Sequence, residues 1–345
     1  MSIPVEQSYS LMTDAVVAIL KENPEPTSFL RSLFREDINE TRSVSIGVRR
    51  KNEKVAVDVT NSSQGNRNTI SKSSIKSFIP PLYREYIDLT ELDIYEQVAN
   101  STNVTLRDVM QIGETSAEHL MEVRKKIERA YELQAAQALQ TGVVKLHSGE
   151  DIDFKRKAGS MVSKSSDKWS TNSTDPLKHL EEAAQFIRKE GNYAGGSFNV
   201  IMPSDVVSVL TANETFQNRA DVRRIDLDNI VSPVRNAAGG VPIGETSKGT
   251  YRFILWGYDE FYTDASGTKQ PYLDSGNAII IPEQPDYVFG YGAVPRLIGQ
   301  GVRSGKYVID DYIDLRNTTH EHRIQSAGVA VPTAIDTIFT LTNLV

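Results

Sequence analysis

A long uninterrupted helix is the feature that most constrains the fold of this chain. Residues 115–141 contain neither proline nor glycine, and Thr115 followed by Glu118 predicts a capping box at the first turn. Gly142 comes next and can adopt the left-handed conformation in which many helices end. At about 1.5 Å per residue the helix would extend for roughly 40 Å. The sequence therefore predicts a rigid element on which sheets can pack.

This helix carries one apolar stripe on a largely charged surface. Its apolar residues recur at spacings of three and four, which is typical of a helix with one buried face: Leu120, Val123, Ile127, Ala130, Tyr131 and Ala138. The remaining positions are assigned to solvent because most of them are charged: Glu118, Glu122, Arg124, Lys125, Glu128 and Arg129.

Composition excludes several classes of protein. The chain has 345 residues, enough for one large or two to three modest domains. Its 38 basic and 45 acidic residues give a net charge of −7, which argues against a nucleic-acid-binding protein. The absence of cysteine excludes disulfides and thiolate metal sites. Neither a signal-peptide pattern nor an apolar run of about 20 residues is present, so we expect a soluble protein kept in the cytosol.

Residues 1–40 are predicted to form an arm. A short amphipathic helix is expected over residues 11–20, and Pro24 and Pro26 end it. The stretch from Phe29 to Glu36 then places four apolar residues on one face of a second helical piece. Because so little chain lies nearby to bury these faces, we expect the arm to dock on the body or on another subunit.

An extended β-hairpin is predicted to follow the arm. Residues 44–48 and 55–59 alternate apolar and polar side chains, which favours two antiparallel strands. Residues 61–77 are almost without large apolar side chains and predict a mobile tip. This hairpin is expected to become ordered on a partner.

Opposite charges separate along this part of the chain. Residues 42–76 hold eight basic and two acidic side chains, whereas residues 84–118 hold two basic and eight acidic ones. This separation favours contact between the basic segment of one subunit and the acidic region of the next, although charges that fall by chance in polar loops are the alternative. The candidate contact residues are Arg49, Arg50, Lys51, Lys54, Arg67, Lys72, Glu85, Asp88, Glu114 and Glu118.

Helices and strands alternate in the rest of the chain. Separate helices are predicted over residues 91–99 and 105–112. A further helix is predicted to begin at Pro176, with Asp175 as its N-terminal cap and Gly191 as its C-terminal cap. Ser204-Asp205 is expected to cap the next helix. Strands and hairpins are predicted at residues 143–146 with 152–154, 198–202, 251–258, 261–263 with 270–273, 278–281, 324–331 and 335–341.

The sequence predicts no catalytic, cofactor or metal site. The nearest approach to a phosphate-binding loop, Gly301 to Tyr307, is one residue short and ends in tyrosine. His320-Glu321-His322 lacks a third ligand nearby, so a solvated or paired strand edge is favoured over a metal site. Asp310, Asp311 and Asp314 are interpreted as a charged turn rather than a magnesium site. We therefore expect a protein that is not an enzyme.

The order of the parts resembles that of the major capsid proteins of tailed phages, and most closely the lambda-type major capsid protein E family. Local matches are Phe29 to Glu36, Trp169 with Asp175-Pro176, Phe261 to Leu273 with Asp274 and Asn277, and Ile324 to Ala327. The resemblance covers essentially the whole chain, and its specificity lies in the order and spacing of these stretches. Residues 61–77 and 213–250 depart from the family pattern, so no contacts are transferred there.

The resemblance implies an α+β fold with four parts. These are an N-terminal arm at 1–40, an extended loop at 41–88, a peripheral domain at 89–172 and 319–345 with a spine helix at 115–141, and an axial domain at 173–318. It also implies hexamers and pentamers that tile an icosahedral head around double-stranded DNA, without sequence-specific DNA binding. The implied partners are a scaffolding protein, a portal and, as an optional partner, a decoration protein, with assembly in the host bacterial cytoplasm and no membrane.

Two alternatives remain open from the sequence. An encapsulin-like nanocompartment shell would share the fold but enclose an enzyme cargo instead of DNA. A soluble α/β enzyme with its site in residues 198–315 would instead be a monomer or small oligomer with a small-molecule pocket.

Overall fold

A computed structural model shows helices and two β-sheets combined in an α+β fold, as the sequence predicted. It describes residues 28–48, 74–90, 106–147, 149, 151–222, 239–295, 301–314 and 319–345. Within these ranges we number the strands β1 to β19 and the α-helices α1 to α5 along the chain.

The helices differ greatly in length. Helix α1 is a single turn, whereas α2 has 35 residues. Their bounds are α1, Phe29–Ser32; α2, Leu106–Gln140; α3, Pro176–Gly191; α4, Ser204–Ala212; and α5, Glu214–Val222. Short 3₁₀ turns lie at Ala158–Ser160 and Ile335–Thr337. Among the described helices, none is long and apolar enough to cross a membrane.

Helix α2 is longer than predicted. It begins at Leu106, so the piece expected over residues 105–112 belongs to the same helix and the capping box at Thr115 is wrong. Gly113 does not interrupt the helix, because a glycine there costs only about 1 kcal/mol relative to alanine. The predicted end is confirmed, since Gly142 has a φ of 74°. At about 1.5 Å per residue, α2 spans roughly 50 Å.

The second half of α2 is enclosed by protein on most sides. Much of the predicted stripe is buried, including Tyr131, while Val123 and Ala130 are half-buried. Arg124 and Glu128, which the sequence assigned to solvent, are buried as well. That assignment was wrong because the helix packs against more than one element.

Strand β18 is the centre of the first sheet. It has 13 residues and pairs antiparallel with β4, β14 and β17, while β1 joins through parallel pairing with β14. The strands are β1, Phe34–Ile38; β4, Leu82–Thr90; β14, Tyr287–Tyr291; β17, Val308–Asp314; and β18, Thr319–Val331. One face of this sheet packs on α2, where the Gln134 amide donates to the Gly328 carbonyl at 3.3 Å.

The second sheet has six strands in the order β7-β19-β13-β8-β10-β9. They are β7, Met161–Ser163; β8, Ser197–Met202; β9, Val241–Lys248; β10, Tyr251–Gly257; β13, Ala278–Pro282; and β19, Phe339–Thr342. Strand β13 is buried at every position, as predicted from its apolar run. A separate core joins this sheet to α3 and α4 through residues such as Leu180, Val200 and Leu210.

Four short strand pairs complete the described fold. They are β2, Val44–Val48, with β3, Ser74–Phe78; β5, Val143–Val144, with β6, Ile152–Asp153; β11, Phe261–Thr263, with β12, Lys269–Pro271; and β15, Val294–Pro295, with β16, Val302–Arg303. The hairpins predicted at residues 143–154 and 261–273 are therefore confirmed.

The partner of β2 differs from the prediction. Residues 44–48 pair with residues 74–78. Most of residues 74–78 belong to the stretch 61–77 that was predicted to form the polar tip. The predicted partner, residues 55–59, lies outside the described residues, as does the helix predicted over 91–99. A distant partner is physically reasonable because the entropic cost of closing a loop rises only slowly with its length.

The start of α3 is anchored as predicted. The Asp175 carboxylate accepts from the Leu177 amide at 3.2 Å, and Pro176 occupies the first turn. The helix ends differently from the prediction, because Asn192, with a φ of 49°, takes the left-handed position after Gly191.

The cap predicted for α4 is also wrong. The N-cap position belongs to Pro203 and has no side-chain cap. Asp205 lies inside the first turn, and its carboxylate accepts from Ser275 Oγ at 2.5 Å and from the Gly276 amide at 2.8 Å. Asp205 therefore ties the helix to the loop before β13.

A buried tryptophan fixes the segment that leads into α3. The indole N–H of Trp169 donates to Nδ1 of His179 at 3.0 Å, and Nε2 of His179 lies 2.9 Å from the Asp167 carboxylate. Burial lowers the pKa of His179, so the neutral ring that can accept from Trp169 is favoured. Trp169 is fully buried and thus anchors this segment to the body.

The two sheets combine strands from different parts of the chain. Strands β14 and β17 fall in the range 173–318 yet pair in the sheet of β18. Conversely, β7 and β19 fall outside that range and pair in the second sheet. The boundary between the peripheral and axial domains remains a prediction. Each of the two sheets contains strands from both sides of that boundary.

We expect Gly328→Ala to destabilise the fold. An added Cβ at this position of β18 would lie 2.7 Å from the Phe289 ring and 2.9 Å from the Tyr131 ring. Overpacking of this kind costs about 1–3 kcal/mol. The control is Gly257→Ala in β10, where the nearest atom, of Ile243, is 3.4 Å away. Urea unfolding of both variants measures the difference, and equal stability would contradict the tight packing of β18 on α2.

Candidate subunit interfaces

The arm from residue 28 to residue 38 docks on the body of its own chain. Helix α1 packs on α2, and β1 pairs with β14 from Phe34↔Tyr287 to Ile38↔Tyr291. The Phe29 ring lies 5.2 Å from the Trp256 ring. The sequence left open whether the arm docks on the body or on another subunit. These residues dock on the body.

A buried guanidinium holds this docked segment. Nη1 of Arg31 lies 2.5 Å from a carboxylate oxygen of Glu128, and Nη2 lies 2.6 Å from Glu36. The same group donates to the hydroxyl of Tyr291 and lies over the Phe289 ring, 5.3 Å from its centroid. Burial opposes the charge on Arg31, but attraction to these partners leaves its pKa above the ordinary value.

A second carboxylate on α2 binds the backbone of α1. The two oxygens of Glu132 accept from the amides of Leu30 and Arg31, each at 2.9 Å, and the Tyr258 hydroxyl donates to it at 2.5 Å. Amides in a first helical turn lack partners within the helix, so Glu132 satisfies them. Burial raises the pKa of Glu132, while these donors favour its ionised form.

This anchor was not predicted from the sequence. Glu128 was assigned to solvent, and Glu132 was not singled out. The available signal was their spacing of four residues, which places both carboxylates on one face of α2. An arginine within the apolar stretch Phe29 to Glu36 was the complementary signal, but sequence could not show that the two faces meet.

The acidic candidate residues lie along β4 and α2. Glu85 is half-buried on β4, with its carboxylate 3.9 Å from Nζ of Lys126, and Glu118 is exposed on α2. Glu114 is in α2 and Asp88 in β4, where its backbone pairs with Glu321; their side chains lie outside the described part of the chain. The acidic candidates thus share two adjacent elements.

The surface around them also carries positive charge. Lys125, Lys126 and Arg129 are exposed on α2. Residues 84–118 are mainly acidic, but α2 carries these basic side chains beyond residue 118. The surface formed by β4 and α2 is therefore mixed in charge. The basic candidates, Arg49, Arg50, Lys51, Lys54, Arg67 and Lys72, lie outside the described residues. Their contacts remain a prediction.

A groove runs between α2, β4 and the β11–β12 hairpin. Its volume is about 880 Å³, and its α2 wall includes Ala130 and Leu133. Tyr83 and Tyr262 contribute aromatic surface, and Phe261 on the rim is 58% exposed. The groove is therefore an accessible apolar surface with charged groups at its edges.

The residues considered as metal ligands have other placements. His322 is buried on β18, and the Asp310 carboxylate accepts from the Gln325 amide at 3.0 Å. Residues 310–314 lie in β17, so the predicted turn is wrong; pairing with β18 makes this stretch a strand. Within the described residues, no group of three or more His, Cys, Asp or Glu is arranged to hold a metal ion.

Comparison with known proteins assigns the chain to a family. Residues 12–343 match the family model of phage major capsid protein E. The match spans nearly the whole sequence and includes the arm, α2 and both sheets. No curated protein sequence matches this chain.

Solved structures share the fold at low sequence identity. A prophage protein of Escherichia coli CFT073, described as its capsid protein, is 18% identical, with a TM-score of 0.62 and 99% of each chain covered. A phage-related protein of Bordetella bronchiseptica RB50 is 11% identical, with a TM-score of 0.55 and coverage of 95% of this chain and 96% of that one. The SrpI encapsulin of Synechococcus elongatus PCC 7942 is 13% identical, with a TM-score of 0.43 and 95% of each chain covered.

We expect Arg31→Met to weaken the docked arm. Removing the cation breaks a buried ion pair with Glu128, a change that typically costs about 3–5 kcal/mol. The matched control is Arg252→Met, whose partner Glu245 is half exposed, so that little change in stability is expected. Urea unfolding of the unassembled chain measures both. If the two variants lose equal stability, the buried pair is not what holds α1.

Proposed function

The chain belongs to the family of phage major capsid protein E, and from this premise we propose how it builds a phage head. As a major capsid protein it is a structural component of the virion and forms icosahedral shells. We propose that its hexamers and pentamers enclose double-stranded DNA without reading its sequence. We further propose that a scaffolding protein and a portal assist assembly in the bacterial cytoplasm, with a decoration protein as an optional addition to the shell.

The observation that carries this function is the family match over residues 12–343. The fold supports it, because α2 packs on the β18 sheet to form one platform, and the basic residues follow β2 and precede β3 in the sequence. Many weak contacts repeated around a shell add up to a stable particle. The same family membership favours a structural role over the soluble-enzyme alternative.

For subunit contacts, we propose that the basic residues between β2 and β3 bind the mixed surface of a neighbouring subunit. Glu118 is exposed there, and Glu85 is paired with Lys126 only at 3.9 Å, so both can accept a new cation. Exposed ion pairs contribute little affinity individually. Alternating charges would instead fix the register in which neighbours meet.

We also propose that the chain divides into the four parts that the family resemblance implies. The arm is 1–40, the extended loop 41–88, the peripheral domain 89–172 with 319–345, and the axial domain 173–318. The β18 sheet with α2 would lie in the shell wall, and the second sheet with α3 and α4 would approach the capsomer axis.

The test of function is assembly of the purified chain. We expect sedimentation and electron microscopy to show shells, tubes, or free hexamers and pentamers, with scaffolding protein added if the chain alone stays small. A chain that remains monomeric with its scaffold would contradict the proposal. Particles that instead retain an enzyme cargo and exclude DNA would identify an encapsulin-like compartment.

The test of the charge contact is reversal of Arg49, Arg50 and Lys51 to Glu. We expect the concentration needed for assembly to rise by roughly tenfold or more, which corresponds to about 1.4 kcal/mol. The control reverses Lys178, Lys189 and Lys269, three exposed residues, and so changes the net charge equally. Adding Glu85→Lys and Glu118→Lys to the first variant should restore assembly. Equal effects of the two triple variants would show that only net charge matters.

A further inference from the structure

The groove between α2, β4 and the β11–β12 hairpin leaves apolar surface of α2 accessible. Ala135, Ala136 and Leu139 of α2 are buried, whereas Ala130 and Leu133 are half-buried because they line the groove. The floor also includes Ile127, and Phe261 stands exposed at the rim. This concave apolar surface can bury the apolar side of a short helix.

The arm reaches the body close to this groove. Phe29 stacks on Tyr258 with ring centroids 5.6 Å apart, Tyr258 lies 6.4 Å from Tyr272, and Tyr272 lies 5.1 Å from Tyr262. Tyr262 lines the groove. Three ring contacts therefore connect the docked start of α1 to the groove wall.

The chain before residue 28 has a suitable length and pattern. Residues 11–20 carry an apolar stripe at helical spacing, formed by Leu11, Ala15, Val16, Ile19 and Leu20. A ten-residue helix is about 15 Å long, and the groove follows α2 for about two turns, or roughly 11 Å. The seven residues 21–27 include Pro24 and Pro26 and can span up to about 25 Å when extended.

Charge distinguishes this segment from the basic one between β2 and β3. Residues 1–27 contain four acidic side chains and one lysine. The α2 edge of the groove carries Lys126, whose side chain is 61% exposed, and the exposed Arg129. Lys126 and Arg129 on this edge attract the acidic side chains of residues 1–27. Glu85 and Asp264 also line the groove, so this attraction is confined to its α2 side.

We propose that residues 11–20 bind in this groove of their own chain, with their apolar stripe against Ala130, Leu133 and Tyr262. This contact would extend the docked arm beyond α1 and cover apolar surface before subunits associate. The proposal does not depend on shell formation, because the groove and the segment belong to one chain.

A disulfide between the two surfaces tests the proposal directly. The chain has no cysteine, so Ala15→Cys with Ala130→Cys introduces a single pair. We expect oxidation of the folded subunit to join them within one chain, since a disulfide needs Cα atoms about 4.4–6.8 Å apart. Asp14→Cys with Ala130→Cys is the control, because Asp14 lies on the opposite face of the predicted helix. Peptide mass spectrometry identifies the product. Equal cross-linking of both pairs would overturn the proposal, and cross-linked dimers would assign the groove to a second copy.

Proteolysis gives a second test that needs no disulfide geometry. Lys21 is the only tryptic site before Arg31, so cleavage there reports on the segment. Filling the groove with Ala130→Trp should raise the cleavage rate at Lys21 by about tenfold or more, because cleavage follows the population of the released segment. His119→Trp, at an exposed position of the same helix, should leave it unchanged. Thermal unfolding verifies that both variants fold. A folded Ala130→Trp protein with an unchanged rate would overturn the proposal, and if that variant does not fold, the disulfide result decides.

Discussion

The contact between α2 and β18 determines where the other elements can lie. Tyr131 is buried and its hydroxyl bonds to Ser326, while the Gln134 amide accepts from the Ala330 amide at 3.3 Å and donates to the Gly328 carbonyl at 3.3 Å. The side chain of Gln134 thus forms hydrogen bonds with backbone groups of β18 that would be costly to bury without partners. With α2 fixed on this strand, β4, β14 and β17 are arranged around the same platform.

Buried charge then joins the arm to that platform. Arg31 pairs with Glu128, and Glu132 accepts backbone amides of α1, so two carboxylates of α2 hold the four-residue helix α1. A buried ion pair adds little net stability over an apolar pair of the same shape, yet it is very sensitive to the loss of one partner. Its effect here is to specify one position for α1, which an apolar contact alone would define less strictly.

These features suit a protein whose subunits must meet many neighbours. The β18 sheet and the second sheet each pack on a core of their own, whereas the charged surface of α2 and the groove beside it are accessible. Rigid elements preserve the geometry of a shell, and the accessible surfaces supply contacts that repeat around it. The division explains how a chain without cysteine can take part in a durable assembly through packing and pairing.

The sequence by itself determined the local elements and the family. Periodicity predicted α2, an apolar run predicted strand β13, Asp175 with Pro176 predicted the start of α3, and the order of parts predicted the capsid fold. These signals are local, because helix caps and periodic faces depend on residues a few positions apart. The tertiary structure decided the pairing of β2 with β3, the burial of Glu128, and the mixing of distant strands in two sheets. Such contacts join residues up to hundreds of positions apart. Their partners are selected by packing and charge in three dimensions, which a pattern along one chain does not record.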